Sequence, residues 1–155
     1  MFKLLILDID GVLTDGRKAY DLNGDVIHKT FNDKDFTAIK RFIHRNVQVC
    51  LLSADDRVNR AIAKSRKLKF YYTRELHVND KEELLNFIKK SYSVSENEII
   101  YVGDDIPDLN IITRLTHTYC PSDAVLSIKQ AAKEVLNSKG GAGVIAELYE
   151  NIYNE

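Results

Sequence analysis

Apolar residues fall into short continuous runs that alternate with stretches of helical periodicity. Residues 4–7 form one aliphatic run, and similar runs lie within residues 47–52 and 98–102. Runs of this length that are bounded by polar residues are typical of strands buried on both faces. Between them, apolar side chains recur every three or four positions, as at Phe36 and Ile39, which predicts helices.

The elements predicted from this pattern alternate along the whole chain. Strands are expected up to Asp8 and at 47–52, 69–73, 98–102, 117–120 and 133–136; helices are expected at 33–44, 56–66, 80–91, 106–115, 124–130 and 143–152. Asn79, with Glu82 three residues later, predicts the cap of the third helix. Asn23-Gly24 predicts a two-residue turn in a β-hairpin of residues 18–30. Strands alternating with helices predict an α/β fold, a doubly wound parallel sheet covered on both faces.

Composition narrows the class of protein further. The length of 155 residues predicts one domain, 1–155. The net charge of -1 does not indicate the basic surface that binding to nucleic acid or an anionic membrane requires. The apolar run before Asp8 is too short for a signal peptide core or a membrane span. Cys50 and Cys120 lie in apolar surroundings and are expected to be reduced thiols. These features favour a cytoplasmic protein with a small-molecule partner.

Polar side chains follow several predicted strands at the point where each strand ends. Asp8 and Asp10 close the first strand, Ser53 follows the second run, and Gly103-Asp104-Asp105 follows the run ending at residue 102. Ligands of doubly wound sheets gather at this carboxyl edge. Residues two apart in a strand face the same side, so Asp8 and Asp10 are expected to repel each other unless a cation or a proton intervenes. Both conditions suit chemistry on a phosphate.

Each of these residues also has a plain structural interpretation. Asp8, Asp10 and Ser53 are common turn formers. Lys81 stands in the charged stretch Asp80-Lys81-Glu82-Glu83, which is compatible with a solvated helix start. Asp105 and Asp108 are acids that a helix N-terminus stabilises through its dipole. The order and spacing of the whole set are what favour a functional site.

Together, Asp8-x-Asp10, Ser53, Lys81 and Asp104-Asp105 resemble the haloacid dehalogenase superfamily of phosphatases over nearly the whole chain. The resemblance implies that Asp8 is a carboxylate nucleophile and Asp10 a proton shuttle. It implies that Ser53 and Lys81 bind the phosphate oxygens. Mg²⁺ would be held by the carboxylates of Asp8 and Asp104 and the main-chain carbonyl of Asp10. Asp105 and Asp108 would orient groups around the metal.

The chain has little room for the cap domain that most of these phosphatases carry. With the hairpin and a glycine-rich tail, it is similar to the capless 3-deoxy-D-manno-octulosonate 8-phosphate phosphatases, whose relatives act on nine-carbon sugar phosphates. That resemblance implies a homotetramer in which a neighbour's hairpin and tail (about 139–155) cover each site. It also implies a set of substrate-side residues: Gly11, Phe31, Asn32, Asp35, Ala54, Asp55, Gly140 and Gly141. The hairpin as a surface ornament and the tail as a flexible connector are the alternatives.

Some positions depart from that family's pattern. Ser53-Ala54-Asp55 stands where Thr-Gly-Arg or Thr-Gly-Glu is usual, Phe36 replaces a glycine, and Ala142 and Ala146 replace tail arginines. Because alanine or aspartate cannot clamp a carboxylate as arginine does, these changes predict a sugar- or polyol-phosphate substrate less acidic than the octulosonate.

Two other functions fit parts of the pattern. A signalling receiver domain also combines an acidic cluster, a hydroxyl and a lysine, but it needs an aspartate after the third strand, where this chain has Arg74-Glu75. A catalytically idle subunit that supports a sugar-nucleotide pathway enzyme is the other alternative.

Overall fold

The computed structural model describes residues 1–76 and 80–154. Its main feature is a six-stranded sheet of order β5-β4-β1-β6-β7-β8, in which every pairing is parallel. The strands are β1 (Leu4–Asp8), β4 (Gln48–Ser53), β5 (Lys69–Tyr72), β6 (Ile99–Val102), β7 (His117–Cys120) and β8 (Glu134–Val135). β2 (Ala19–Tyr20) and β3 (Val26–His28) form a separate antiparallel hairpin. The predicted fold class is confirmed.

Helices cover both faces of the sheet. They are α1 (Asp33–His44), α2 (Asn59–Ser65), α3 (Lys81–Tyr92), α4 (Leu109–Arg114), α5 (Leu126–Ala131) and α6 (Val144–Tyr153). Leu5 and Leu7 of β1 pack in the core with α1, α2 and α6, whereas Leu4 and Ile6 pack in a second core with α3, α4 and α5. Alternate residues of one strand thus enter opposite cores, which explains the unbroken apolar runs.

The hairpin turn is longer than predicted. Gly24 has a φ of 81° but Asn23 does not adopt a positive φ, so the two-residue turn was wrong. The backbone closes between Asp21 and Asp25, and the side chain of Asp21 accepts hydrogen bonds from the backbone N–H groups of Asn23 and Asp25 at 2.8 and 3.0 Å. One glycine in the left-handed region with a local side-chain acceptor is typical of the three-residue hairpin loop.

Helix starts also differ in detail from the predicted ones. α2 begins at Asn59, after Val58 with a φ of 64°, instead of at residue 56. α3 begins at Lys81, and the side chain of Asp80 accepts a hydrogen bond from the N–H of Glu83 at 2.8 Å. The predicted cap, Asn79, lies outside the described residues. The predicted helix 106–115 begins as a 3₁₀ turn (Ile106–Asp108) before α4.

No inserted domain separates the described strands. Between β1 and β4 the chain forms a turn, the hairpin and α1, and between β4 and α3 the described residues contain α2 and β5. Among residues 1–76 and 80–154, no additional folded unit lies over the carboxyl edge of the sheet. Among the described helices, none has both the length and the apolar composition that crossing a bilayer requires.

Candidate active site

The predicted polar residues meet at the carboxyl edge of the sheet. Asp8 is in register with Leu52 of β4, and Leu7 is in register with Val102 of β6. β1 lies between these two strands, so the residues that follow all three strands lie close together. This is the topological switch point of the sheet, because β4 and β5 lie on one side of β1 and the later strands lie on the other. A cleft of about 470 Å³ opens there. The residues that line it include Asp8, Asp10, Ser53, Ala54, Asp55, Lys81, Asp104, Asp105 and Asp108.

The turn after β1 depends on glycine at position 11. Gly11 has a φ of 88°, and a Cβ placed on it would lie 1.9 Å from Oδ2 of Asp104. Its N–H donates to Oγ1 of the buried Thr14 at 3.2 Å. Any larger residue would push the carboxylate of Asp104 away from its position beside the turn. Gly11 therefore brings the loop of β1 and the loop of β6 into contact.

Lys81 joins helix α3 to the buried carboxylate of Asp8. Its Nζ lies 3.1 Å from Oδ1 of Asp8 and 2.6 Å from Oδ1 of Asp108. Burial raises the pKa of Asp8 well above its usual range, Lys81 opposes that shift, and the nearby carboxylates of Asp108 and Asp104 add to it. Burial by itself would lower the pKa of Lys81, but its two carboxylate partners raise it, so Lys81 is a fixed positive charge.

Asp108 is saturated with hydrogen bonds. Its Oδ1 accepts from Lys81 and from the hydroxyl of Tyr101, at 2.6 and 2.5 Å, and its Oδ2 accepts from the N–H groups of Asp104 and Asp105 at 2.9 and 3.2 Å. Four donors use the available acceptor sites of this carboxylate. Asp108 thus orients the loop of Asp104 and the side chain of Lys81. Asp105 is exposed and accepts at its Oδ1 from the N–H of Ile106 at 2.8 Å.

Asp8 and Asp104 fit a divalent cation. Oxygen atoms of Asp8, Asp104 and Asp108 lie within 4.8 Å of one another. Oδ1 of Asp104 is buried and accepts no hydrogen bond from the described residues. Burial and then Asp108 raise the pKa of Asp104 to about 7. Since Asp108 is already saturated, Asp8 and Asp104 are the carboxylates with free acceptor capacity for a hard cation such as Mg²⁺.

Asp10 is held by a different set of side chains from Asp8. Its Oδ2 accepts from Oγ of Ser53 at 3.1 Å and from Nδ2 of Asn59 at 2.9 Å, and its Oδ1 lies 2.9 Å from Nζ of Lys29. Asp8 and Asp10 were expected to repel each other unless a cation or a proton intervenes, and each of the two carboxylates contacts a lysine, Lys81 and Lys29 respectively. The carboxylates that raise the pKa of Asp8 are Asp108 and Asp104, and Asp10 is compensated by a buried lysine.

Three basic side chains that no sequence motif predicted contact the carboxylate of Asp55. Its carboxylate lies 2.8 Å from Nζ of Lys18, 3.1 Å from Nζ of Lys29 and 2.8 Å from Nε of Arg57. Burial alone would raise the pKa of Asp55, but these donors outweigh it and hold the pKa well below the usual range. Lys18, Arg57 and Arg74 line the cleft. They come from three separate loops, so no local pattern signalled them.

Other predicted substrate-side residues have structural contacts outside this cleft. Oδ1 of the buried Asp35 accepts from the N–H groups of Ile145 and Ala146, at 2.8 and 3.2 Å, and so caps α6 from α1. The side chain of Asn32 caps α1 by accepting from the N–H of Lys34 at 2.9 Å. Phe31 packs against Phe36 with ring centroids 5.9 Å apart.

Gly140 and Gly141 pack against the turn that follows β1. A Cβ on Gly140 would lie 2.1 Å from the carbonyl oxygen of Gly11, and the N–H of Gly141 donates to the carbonyl of Val12 at 2.9 Å. Within one chain this segment is a close-packed support, neither a flexible connector nor a cover of the cleft. Its contribution to a neighbour's site stays a prediction, as do the substrate contacts of Phe31, Asn32 and Asp35.

The parallel sheet, with its acidic cluster and buried lysine at the carboxyl edge, has the architecture of a phosphatase of the haloacid dehalogenase class. Residues 55–148 match the family model described as haloacid dehalogenase-like hydrolase. The chain is 34% identical to the 3-deoxy-D-manno-octulosonate 8-phosphate phosphatase KdsC of Haemophilus influenzae, over 97% of this chain and 82% of that protein. The protein therefore belongs to the haloacid dehalogenase-like hydrolases, within the group of KdsC-like phosphatases.

Further comparisons agree with this assignment. A cobalt-bound structure of the Haemophilus influenzae phosphatase has a TM-score of 0.89 and 30% identity, and the match covers 99% of this chain and 88% of that one. The N-acylneuraminate cytidylyltransferase of Oncorhynchus mykiss is 26% identical over 97% of this chain, which corresponds to 35% of that protein. Membership of a phosphatase family sets aside the receiver-domain alternative.

Proposed function

We propose that this phosphatase is a Mg²⁺-dependent phosphomonoesterase that forms an aspartyl-phosphate on Asp8 and acts on a small sugar-acid phosphate. The observation that carries the proposal is the placement of Asp8 at the floor of the cleft, between Nζ of Lys81 at 3.1 Å and the partly unsatisfied carboxylate of Asp104. A carboxylate in contact with a fixed cation and beside a cation site is suited to attack an anionic phosphate.

Asp8 and Asp10 have separate tasks in the two half-reactions. An oxygen of Asp8 forms a bond to phosphorus, and the ester P–O bond breaks with its electron pair going to the leaving alkoxide. Asp10 gives that alkoxide a proton. A water molecule then attacks phosphorus, Asp10 takes its proton, and the bond between phosphorus and Asp8 breaks to release inorganic phosphate. Asp8 is left as a carboxylate and Asp10 as the carboxylic acid that begins the next cycle.

The remaining side chains hold charge in place during both steps. Lys81 offsets the negative charge that Asp8 and the phosphate oxygens bring together. Ser53 would turn its hydroxyl from Asp10 and donate the proton to a phosphate oxygen that is not transferred. The carboxylates of Asp8 and Asp104, with the carbonyl of Asp10, would hold Mg²⁺, which when bound neutralises phosphate charge and lowers the repulsion against the nucleophile.

The cations of the cleft support an acidic substrate. The expectation of a less acidic substrate rested on the missing arginines at residues 55, 142 and 146. Arg74, and Arg57 with its partner Asp55, line the cleft from other positions, so cations are available there for a substrate carboxylate. Arginine recognises carboxylates in a fork geometry. A sugar acid such as an octulosonate or a nonulosonate phosphate offers both a phosphate for Asp8 and a carboxylate for these arginines.

The hairpin supports assembly into a homotetramer with shared sites. Tyr20, Leu22 and Ile27 are exposed large apolar residues on this two-stranded ribbon. An isolated ribbon is marginally stable in water, and packing against copies of itself would bury those side chains. Sedimentation velocity tests this part of the proposal, since a monomer at micromolar concentration contradicts it.

A phosphate-release panel tests the activity. The purified protein is assayed with Mg²⁺ against 3-deoxy-D-manno-octulosonate 8-phosphate, a nonulosonate 9-phosphate, a neutral hexose 6-phosphate and a nucleoside monophosphate. We expect the acidic sugar phosphates to have the highest kcat/KM, and Asp8→Asn to abolish turnover. Faster turnover of the neutral ester overturns the substrate class. No Asp8-dependent release from any ester supports instead the idle-subunit alternative.

A further inference from the structure

A buried lysine connects the hairpin to the reaction centre. Lys29 directly follows β3, and its side chain has no solvent exposure. Its Nζ lies 2.9 Å from Oδ1 of Asp10, 3.1 Å from Oδ2 of Asp55 and 3.1 Å from Oδ1 of Asn59. Lysine is rarely buried to this extent unless it is paired. None of the steps described above uses Lys29.

The carboxylate of Asp10 has few ways of being held in place. Ser53 donates to Oδ2, but a serine hydroxyl has one proton, and in the proposed reaction that proton is needed by a phosphate oxygen. Once Ser53 turns to the phosphate, Asn59 remains on Oδ2 at 2.9 Å. Oδ1 accepts no directional hydrogen bond from the described residues, so its attraction to Lys29 is what restrains it.

We propose that Lys29 is a positioning residue that holds the carboxylate of Asp10 in place for proton transfer to the leaving group. This inference rests on the proposed role of Asp10. Holding the carboxyl group at one oxygen by a charge and at the other by an amide fixes both oxygens, and with them the direction in which Asp10 gives or takes a proton. Misplacing a reacting group by about 1 Å costs on the order of a hundredfold in rate.

Proton transfer to the leaving group matters most when that group is a poor one. Two aryl esters of nearly the same shape, phenyl phosphate and 4-nitrophenyl phosphate, differ in this respect, because nitrophenolate departs without a proton. The constant kcat/KM reports the first irreversible step, which includes the departure of the leaving group. The ratio of the two kcat/KM values therefore isolates the contribution of Asp10 from substrate binding and from hydrolysis of the intermediate.

The variant Lys29→Met tests the proposal, with Lys18→Met as its matched control. Lys18 contacts the same oxygen of Asp55 at 2.8 Å and also belongs to the hairpin region, but Asp10 is not among its partners. We expect Lys29→Met to lower kcat/KM for phenyl phosphate at least about tenfold more than for 4-nitrophenyl phosphate. Lys18→Met is expected to leave the ratio unchanged.

An equal loss on both esters in Lys29→Met overturns the proposal, because a merely structural role lowers both alike. If wild-type protein hydrolyses neither ester with Mg²⁺, the proposed function itself has failed, which is a distinct result. The double variant Asp10→Asn with Lys29→Met adds a check: the ratio is expected to equal that of Asp10→Asn alone.

A crystal structure of the wild-type protein with Mg²⁺ and orthovanadate keeps the proposal testable if Lys29→Met does not fold. We expect Asp10 to remain in contact with Lys29 while the hydroxyl of Ser53 points to the vanadate. A complex in which the carboxylate of Asp10 has left Lys29 contradicts a positioning role.

Discussion

Nζ of Lys81 lies 3.1 Å from Oδ1 of Asp8, and this contact joins the first turn of helix α3 to the end of strand β1. The same Nζ contacts Asp108 at 2.6 Å, so one buried cation separates two buried carboxylates. A lysine in a charged stretch, which by its surroundings resembles a solvated helix start, is thus buried between the carboxylates of the cleft.

Replacing Lys81 with methionine is expected to destabilise the protein strongly. Asp8 and Asp108 would remain buried without their cation, and breaking a buried ion pair in this way costs about 3–5 kcal/mol. Urea denaturation without metal measures the loss. Lys89→Met is the control, since its pair with Glu96 at 2.6 Å is partly exposed and contributes about 1 kcal/mol or less. Similar losses in both variants would contradict the central role of Lys81.

Mg²⁺ is expected to stabilise the folded state more at about pH 8 than at about pH 6. The pKa of Asp104 is raised to about 7, so below that value a proton competes with the metal for its carboxylate. A raised folded-state pKa in an acid also means that the metal-free protein loses stability as pH rises through that value. Differential scanning fluorimetry with and without Mg²⁺ measures both trends.

The variant Asp104→Asn provides the control for the metal experiment. It lacks the titrating carboxylate, so its melting temperature is expected to be insensitive to Mg²⁺ at either pH. A metal-induced shift in the wild type of equal size at both pH values would show that Asp104 is not the group whose proton the metal displaces.

The substitution Gly11→Ala is expected to lower kcat/KM about a hundredfold or more, because the added Cβ would displace the carboxylate of Asp104. Gly24→Ala is the matched control. Gly24 has a similar φ of 81° but no atom within 4 Å of its added Cβ, so only backbone strain remains. Steady-state kinetics of the two variants measures the difference. Full activity in Gly11→Ala would mean that the loop contact is dispensable.

Asp35→Ala is expected to lower the free energy of unfolding by about 1–2 kcal/mol, since it removes the acceptor that caps α6. Asp35→Asn, which retains one side-chain oxygen, is expected to lose less. Chemical denaturation measures both. The kinetic constants are expected to change little, and a rise in KM without a loss of stability would show that Asp35 contacts the substrate in a shared site.

Much of the reaction centre follows from the sequence because its geometry is set by strand ends. Asp8, Ser53 and Asp104 each follow an apolar run, and parallel strands bring their carboxyl ends to one edge whatever the details of packing. The hairpin was also predictable, although its turn was not, since the choice between two and three loop residues depends on the backbone conformation of Asn23.

The sequence by itself determined the doubly wound sheet and the acids at its carboxyl edge, because apolar periodicity and strand order are local properties of the chain. Only the tertiary structure decided the partners of those acids, such as Lys29 and Asn59 at Asp10 and Lys81 at Asp8. It also showed that Asp35, a predicted substrate-side residue, caps a distant helix within the same chain. Contacts of this kind join side chains that are far apart in the sequence. They depend on how the elements pack, which residue spacing along the chain does not encode.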